Sequence, residues 1–158
     1  MTDSAQLVPS QRHPHLTLAE IPASDGARVG SLYREIWEPL GGGGRSRWTD
    51  AQWVDELNQP GIGAWVARID GSDAGMAELE WSATGDAAIV IIGVVPSLQG
   101  QGVGGDLLTR LSHMMWHTPG PSGRATQRVW LWTVPDEHSH TIPNYLARGF
   151  SRGADIDQ

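Results

Sequence analysis

A chain of 158 residues can enclose one hydrophobic core and is short for two. Its 39% hydrophobic and 18% charged residues are those of an ordinary globular domain, and a formal net charge of −7 argues against the basic face that a nucleic-acid partner needs. The lack of cysteine excludes disulfides, thiolate metal ligands and a cysteine nucleophile, and no apolar run approaches the ~20 residues of a membrane span.

The start, MTDSAQLVPSQRHPH, is polar and has no signal-peptide core, so a cytoplasmic protein is expected. Residues 1–14 read as a disordered arm and residues 15–158 as one domain. Residues 15–21 (HLTLAEI) alternate apolar and polar and suit a first strand. Val29, Leu32, Tyr33 and Ile36 recur at helical spacing, which predicts a helix over 27–37. The run GGGG at 41–44 holds no regular structure and reads as a linker or a substrate lid. Thr49-Asp50 opens a second helix to about residue 57, with either residue suited to cap it. Residues 64–69 (AWVARI) and 75–81 (GMAELEW) form a hairpin whose connection, DGSDA, is longer than a minimal turn.

Residues 87–95 (AAIVIIGVV) are apolar on both faces, the mark of a central strand covered above and below. A helix over 103–117 follows, with Leu107, Leu108, Leu111 and Met115 in an apolar stripe. Asp106, Arg110, His113 and His117 line its opposite, solvated face. A further buried strand covers 128–134 (RVWLWTV), and Pro143 starts a short helix ended by Gly149. Tryptophan dominates the aromatics, eight against two Tyr and one Phe, and is expected mainly in the core.

Ile91 to Leu108 is the informative segment: a buried strand, a glycine-rich turn and a helix N-terminus in immediate succession. The first helical N–H groups lack intrahelical acceptors and carry partial positive charge, and glycine at 100, 102, 104 and 105 lets phosphate oxygens approach the backbone. A P-loop would need Gly-Lys-Ser/Thr where Gly104-Gly105-Asp106 stands. Gly100-x-Gly102-x-x-Gly105 matches the dinucleotide fingerprint, but no acid follows within residues 120–128, where that fingerprint expects one.

Pro96-x-x-Gln99-Gly100-x-Gly102-Val103-Gly104-x-x-Leu107-Leu108 resembles the signature of the GNAT superfamily of acyl-CoA-dependent N-acyltransferases, Gln/Arg-x-x-Gly-x-Gly/Ala between a strand and a helix. Tyr145-x-x-x-Gly149-Phe150 stands at that family's usual distance downstream, and the order of elements is similar from about residue 15 to 153. The resemblance implies an α/β (α+β) fold: a mixed central sheet, helices on both faces and central strands that splay apart. It implies main-chain contacts from Ile92, Gly93 and Val94 to the pantetheine arm, with Gly93 suited to a bulge or a close backbone approach. Gln99, Gly100, Gln101, Gly102, Val103, Gly104 and Gly105 would surround the CoA pyrophosphate, with Gln99 holding the turn or touching a phosphate. His138 falls where many members carry an Asn that contacts CoA. Tyr145 would stand over the sulfur of CoA and protonate the departing thiolate. The second copy of the family's late hairpin is missing after Phe150, so another element, such as a partner chain in a homodimer, would complete the substrate wall.

The resemblance makes acetyl-CoA the expected co-substrate and a small-molecule or protein amine the acceptor, with neither nucleic acid nor membrane as partner. Acyl transfer to an amine needs a base, because an alkyl ammonium is mostly protonated near neutrality. Glu78 is the first candidate, with Glu80 on the same strand face and His138 as alternatives. His113-x-x-x-His117 has metal-ligand spacing, yet Met114 replaces the glutamate of the zinc-protease motif and no metal is expected. The rival from another class is a non-catalytic acyl-CoA-binding regulatory domain, which would keep the loop and lose the base.

Overall fold

Four consecutive antiparallel strands make the body of the sheet: β1 (Thr17–Ile21), β2 (Ile62–Ile69), β3 (Ser72–Trp81) and β4 (Asp86–Val94). A fifth, β5 (Arg128–Leu131), joins the far edge of β4 in parallel, giving the order β1-β2-β3-β4-β5. The structure, a computed structural model, describes residues 1–133 and 140–153. The β2–β3 turn is tighter than expected. Ile69 pairs with Ser72, which leaves only Asp70 and Gly71, with φ of 49° and 81°, in the two-residue turn that Asp-Gly favours.

Helices α1 (Gly26–Trp37) and α2 (Asp50–Leu57) cover one face of this sheet, and α3 (Val103–His117) covers the other, with α4 (Thr141–Ala147) beside it. The strands divide their side chains accordingly. Ala64, Val66 and Met76 pack with Val29, Leu32, Ile36 and Trp53, whereas Ala77, Leu79 and Ile89 pack with Leu107, Leu108, Leu111 and Met115. Thr49 is the cap of α2: it accepts from Gln52 N–H at 3.3 Å, and Gln52 Oε1 accepts from Thr49 N–H at 2.9 Å. Trp53 is a core residue, and Trp37, Trp48, Trp65, Trp81 and Trp116 are partly buried against the core. Trp53 is fully buried between Tyr33 (5.3 Å) and Trp48 (4.9 Å), and among the described residues only Trp132, 65% exposed, stands out as a large exposed ring.

Gly149 has φ of 92° and closes α4: its N–H donates to Leu146 O and that of Phe150 to Tyr145 O, both at 3.1 Å. Among the described residues no helix is long and apolar enough to cross a membrane.

Three expectations are corrected. Residues 1–14, read as a disordered arm, lie against the domain. Met1 is buried in the α3 core, Val129 N–H donates to Met1 O at 2.9 Å, and Val8 N–H donates to Arg148 O at 3.1 Å. Of the two roles expected of Gly93, the bulge falls instead at Val90, since the register steps from Leu79↔Ile89 to Glu78↔Ile91, and the close approach is found. A Cβ on Gly93 would lie 2.5 Å from Trp37 Cη2 and 2.8 Å from Ile36 Cγ2, so this glycine admits α1 close to the sheet. Finally, β5 ends at Leu131 and pairs with β4 only over Asp86 to Ile89. All four residues of β5 pair with β4, so beyond Ile89 no described strand follows β4 on that side.

Candidate active site

Because pairing with β5 stops at Ile89, one edge of residues 90–94 carries no strand among the described residues. Val95 N–H donates to Ala74 O at 3.0 Å on the β3 side. Backbone polar groups alternate in direction along a strand, so Val94 N–H and both polar groups of Ile92 point to the open edge. Val94 O also faces that way and accepts from Gln99 Nε2 at 3.0 Å. Gln99 thereby holds the turn that leads out of β4. Gly100 and Gly102 then take φ of 74° and 87°, and α3 begins at Val103 with no side-chain cap. Its first N–H groups are left with the partial positive charge of an uncapped helix start.

The open edge and the glycine turn form one wall of a cavity of about 920 Å³. Of the residues expected at the cofactor, Ile92, Gly93, Val94, Gln99, Gly100, Gly102, Gly104 and Gly105 line it. Gln101 and Val103 do not: Gln101 Nε2 turns back to Ser97 O at 2.8 Å, and the Val103 side chain is buried under α3. His138 lies outside the described residues. The opposite walls come from Trp37, from Asn144, Tyr145 and Arg148, and from Ser10 and Arg12 of the N-terminal segment.

A second cavity of about 310 Å³ adjoins it along β4 towards the end of β5, walled by Tyr33, Arg45, Ile91, Leu131 and Trp132. Trp37, Gly43, Ile92 and Tyr145 line both cavities. Tyr145 therefore stands at their junction. The glycine run reaches the same place: a Cβ on Gly43 would fall 2.2 Å from Tyr33 Oη, so only glycine lets the loop lie on this phenol.

Glu78 is placed differently from its expected partners. Its side chain is fully buried on β3 and lines neither cavity. Arg45 Nη1 contacts both of its oxygens at 3.0 Å, while Arg45 Nη2 reaches Glu56 at 3.2 Å and the guanidinium lies over Trp48. Burial pushes the Glu78 carboxyl from its ordinary 4.5 up to about 7, against the opposing pull of Arg45. Glu80, the alternative base on that face, is exposed.

Asp106 corrects the reading of α3. It was placed on a solvated face and is 1% exposed, accepting from Ser10 Oγ, His13 N–H and Arg12 N–H. Burial alone would raise its carboxyl, but these hydrogen bonds outweigh it and hold the group below the usual range. His113 and His117 stack at 4.1 Å, and His117 Nδ1 lies 2.7 Å from His113 O. The residues that sequence reasoning missed, Arg12, Trp37, Asn144 and Arg148, share no local motif. The one available signal was an aspartate set directly before the apolar pair Leu107-Leu108.

The geometry has counterparts among known proteins. No curated protein matches the chain by sequence. Solved structures match in fold: an aminoglycoside acetyltransferase, meta-AAC0020, from an uncultured soil metagenomic sample in complex with sisomicin has a TM-score of 0.71 at 14% identity, covering 92% of this chain and 94% of that one. The ribosomal-protein-S18-alanine N-acetyltransferase from Escherichia coli has a TM-score of 0.65 at 16% identity, covering 87% and 79%. Aminoglycoside acetyltransferase AAC(6′)-Ib in complex with coenzyme A has 0.64 at 19%, covering 87% and 85%. The model of the acetyltransferase (GNAT) family matches residues 29–150, from α1 through the cap of α4. The chain belongs to this family of acetyltransferase enzymes.

Proposed function

We propose that the chain moves an acetyl group from acetyl-CoA directly onto a primary amine, in the cytoplasm. The observation that carries this reading is the place of Tyr145, at the junction of two cavities beside the open edge of β4. The larger cavity suits the donor, because no carboxylate lines it among the described residues although the whole chain carries a net charge of −7.

Acetyl-CoA supplies the activated acyl thioester. The main chain of Ile92 pairs with the pantetheine amides, and Val94 N–H donates to the carbonyl oxygen as negative charge grows there. The Tyr145 hydroxyl gives its proton to the departing thiolate, and the ammonium of the acceptor passes its proton through water to Glu78, which lines neither cavity. With Arg45 in place the Glu78 carboxyl has a pKa of about 7, which matches a base working near neutrality. The acceptor is an amine small enough for the second cavity. The neighbours named above include aminoglycoside and ribosomal-protein-alanine acetyltransferases, so both small-molecule and protein amines belong in the screen. Thiol release from acetyl-CoA across a panel of polyamines, amino acids, aminoglycosides and peptide N-termini tests the proposal. Release with at least one amine, with an acetylated product, is expected. Tight CoA binding without release for any amine is the behaviour of the non-catalytic alternative.

The contacts from Arg45 to both Glu78 oxygens favour a second reading, in which Glu78 positions Arg45 at the mouth of the acceptor cavity. Glu78→Gln separates the two. If Glu78 is the base, turnover falls while CoA still binds, and the deficit shrinks as pH rises and the free amine appears. A deficit of equal size at every pH assigns Glu78 to positioning. The raised pKa also has a stability consequence. The folded state holds the proton more tightly than the unfolded one, so stability falls as pH rises from 4.5 to about 7. Urea unfolding across this window should show that fall in the wild type and lose it in Glu78→Gln.

A further inference from the structure

The glycine turn contains no Lys or Arg between Gln99 and Gly105, yet the ligand proposed for it is strongly anionic. Two guanidinium groups reach the same cavity from elsewhere. Arg12 comes from the N-terminal segment, and Arg148 follows α4. Arg12 lies directly on the turn: a Cβ built on Gly102 would sit 2.5 Å from Arg12 Cδ, 3.3 Å from Nη1 and 3.4 Å from Nε. Among the described residues its guanidinium enters no ion pair or side-chain hydrogen bond, and Arg148 Nε is buried without a partner.

The segment that carries Arg12 is held at many points. Ser10 Oγ, Arg12 N–H and His13 N–H all converge on Asp106 in the first turn of α3. Ser10 N–H donates to Thr109 Oγ1 at 3.0 Å, His13 Nε2 lies 2.9 Å from Gln101 O, and Arg110 Nη2 donates to Pro14 O at 3.0 Å. Val8 N–H to Arg148 O ties the same segment to the second arginine. An acid beside a phosphate site would ordinarily repel the ligand. Here its charge is taken up by three donors from the segment that delivers a cation.

We infer that residues 8–14 form the outer wall of the CoA phosphate site, with Arg12 as its cation and Asp106 as the anchor that sets it there. This rests on the proposed donor site and names a part of it that the glycine turn lacks. The test is calorimetric titration of the full chain with CoA and with pantetheine, which has the arm and no phosphate. Arg12→Ala should weaken CoA about tenfold, the loss of one charge-assisted contact at a partly exposed site, and leave pantetheine unchanged. Asp106→Asn should produce a similar loss, and the double variant should be no weaker than Arg12→Ala alone, because both act through one contact. Since Arg12 is exposed, its removal leaves the fold intact even where Asp106→Asn does not. Wild-type CoA affinity in Arg12→Ala overturns the inference. So does an equal loss for CoA and pantetheine, and so does tighter CoA binding, which would mean that the segment blocks the site. Failure of the wild type to bind CoA overturns the donor-site reading instead.

Discussion

Tyr145→Phe should lower turnover by about 10²–10⁴-fold, the usual worth of a general acid, with little change in acetyl-CoA affinity. The substitution keeps the ring, which lies 6.4 Å from that of Phe150 in the short segment closed by Gly149, and removes only the hydroxyl. A phenol of pKa about 10 holds its proton at neutral pH and can give it to a thiolate. Tyr145 lines both cavities, so the proposed donor and acceptor sites adjoin at this residue. Single-turnover kinetics should show the loss in the chemical step. An unchanged turnover number with chemistry limiting would hand thiolate protonation to water.

Gly104→Val should weaken CoA binding by at least ~100-fold, equivalent to losing two charge-assisted hydrogen bonds. Gly104 lines the cavity and its Cβ would meet Val94 Cγ2 at 3.7 Å and Asn144 Nδ2 at 3.8 Å, ordinary contacts, so the Cβ itself is accommodated. Gly102→Asp should be as damaging and is less clean. At φ of 87° an L residue is strained, and the new Cβ meets Arg12. Calorimetry with CoA measures both, and an unchanged melting temperature in Gly104→Val separates a blocked site from a damaged fold. Wild-type affinity in both variants would remove the turn from the phosphate site.

The sequence by itself determined those features whose physics is local. An unbroken apolar run marked β4 and a period-3.6 pattern marked α3, because each is complete within a few residues of sequence. The turn after β4 was legible because only glycine takes φ of 74° and 87° without cost, and the end of α4 because Gly149 supplies the left-handed cap. Two motifs on the two sides of β5 then pointed to one family before any contact was known. What tertiary structure alone decided involves residues far apart in the chain. Arg12 and Asp106 are separated by 94 positions, and nothing in either neighbourhood says that the first segment lies across the start of α3. The burial of Glu78 under Arg45 depends on how the glycine run lies against Tyr33 of α1, since helix, loop and strand meet there and the partners are 33 positions apart. A strand pattern shows which side chains share a face. Which charge covers them is set by packing, because pairing two groups in a core depends on the path of the whole chain between them.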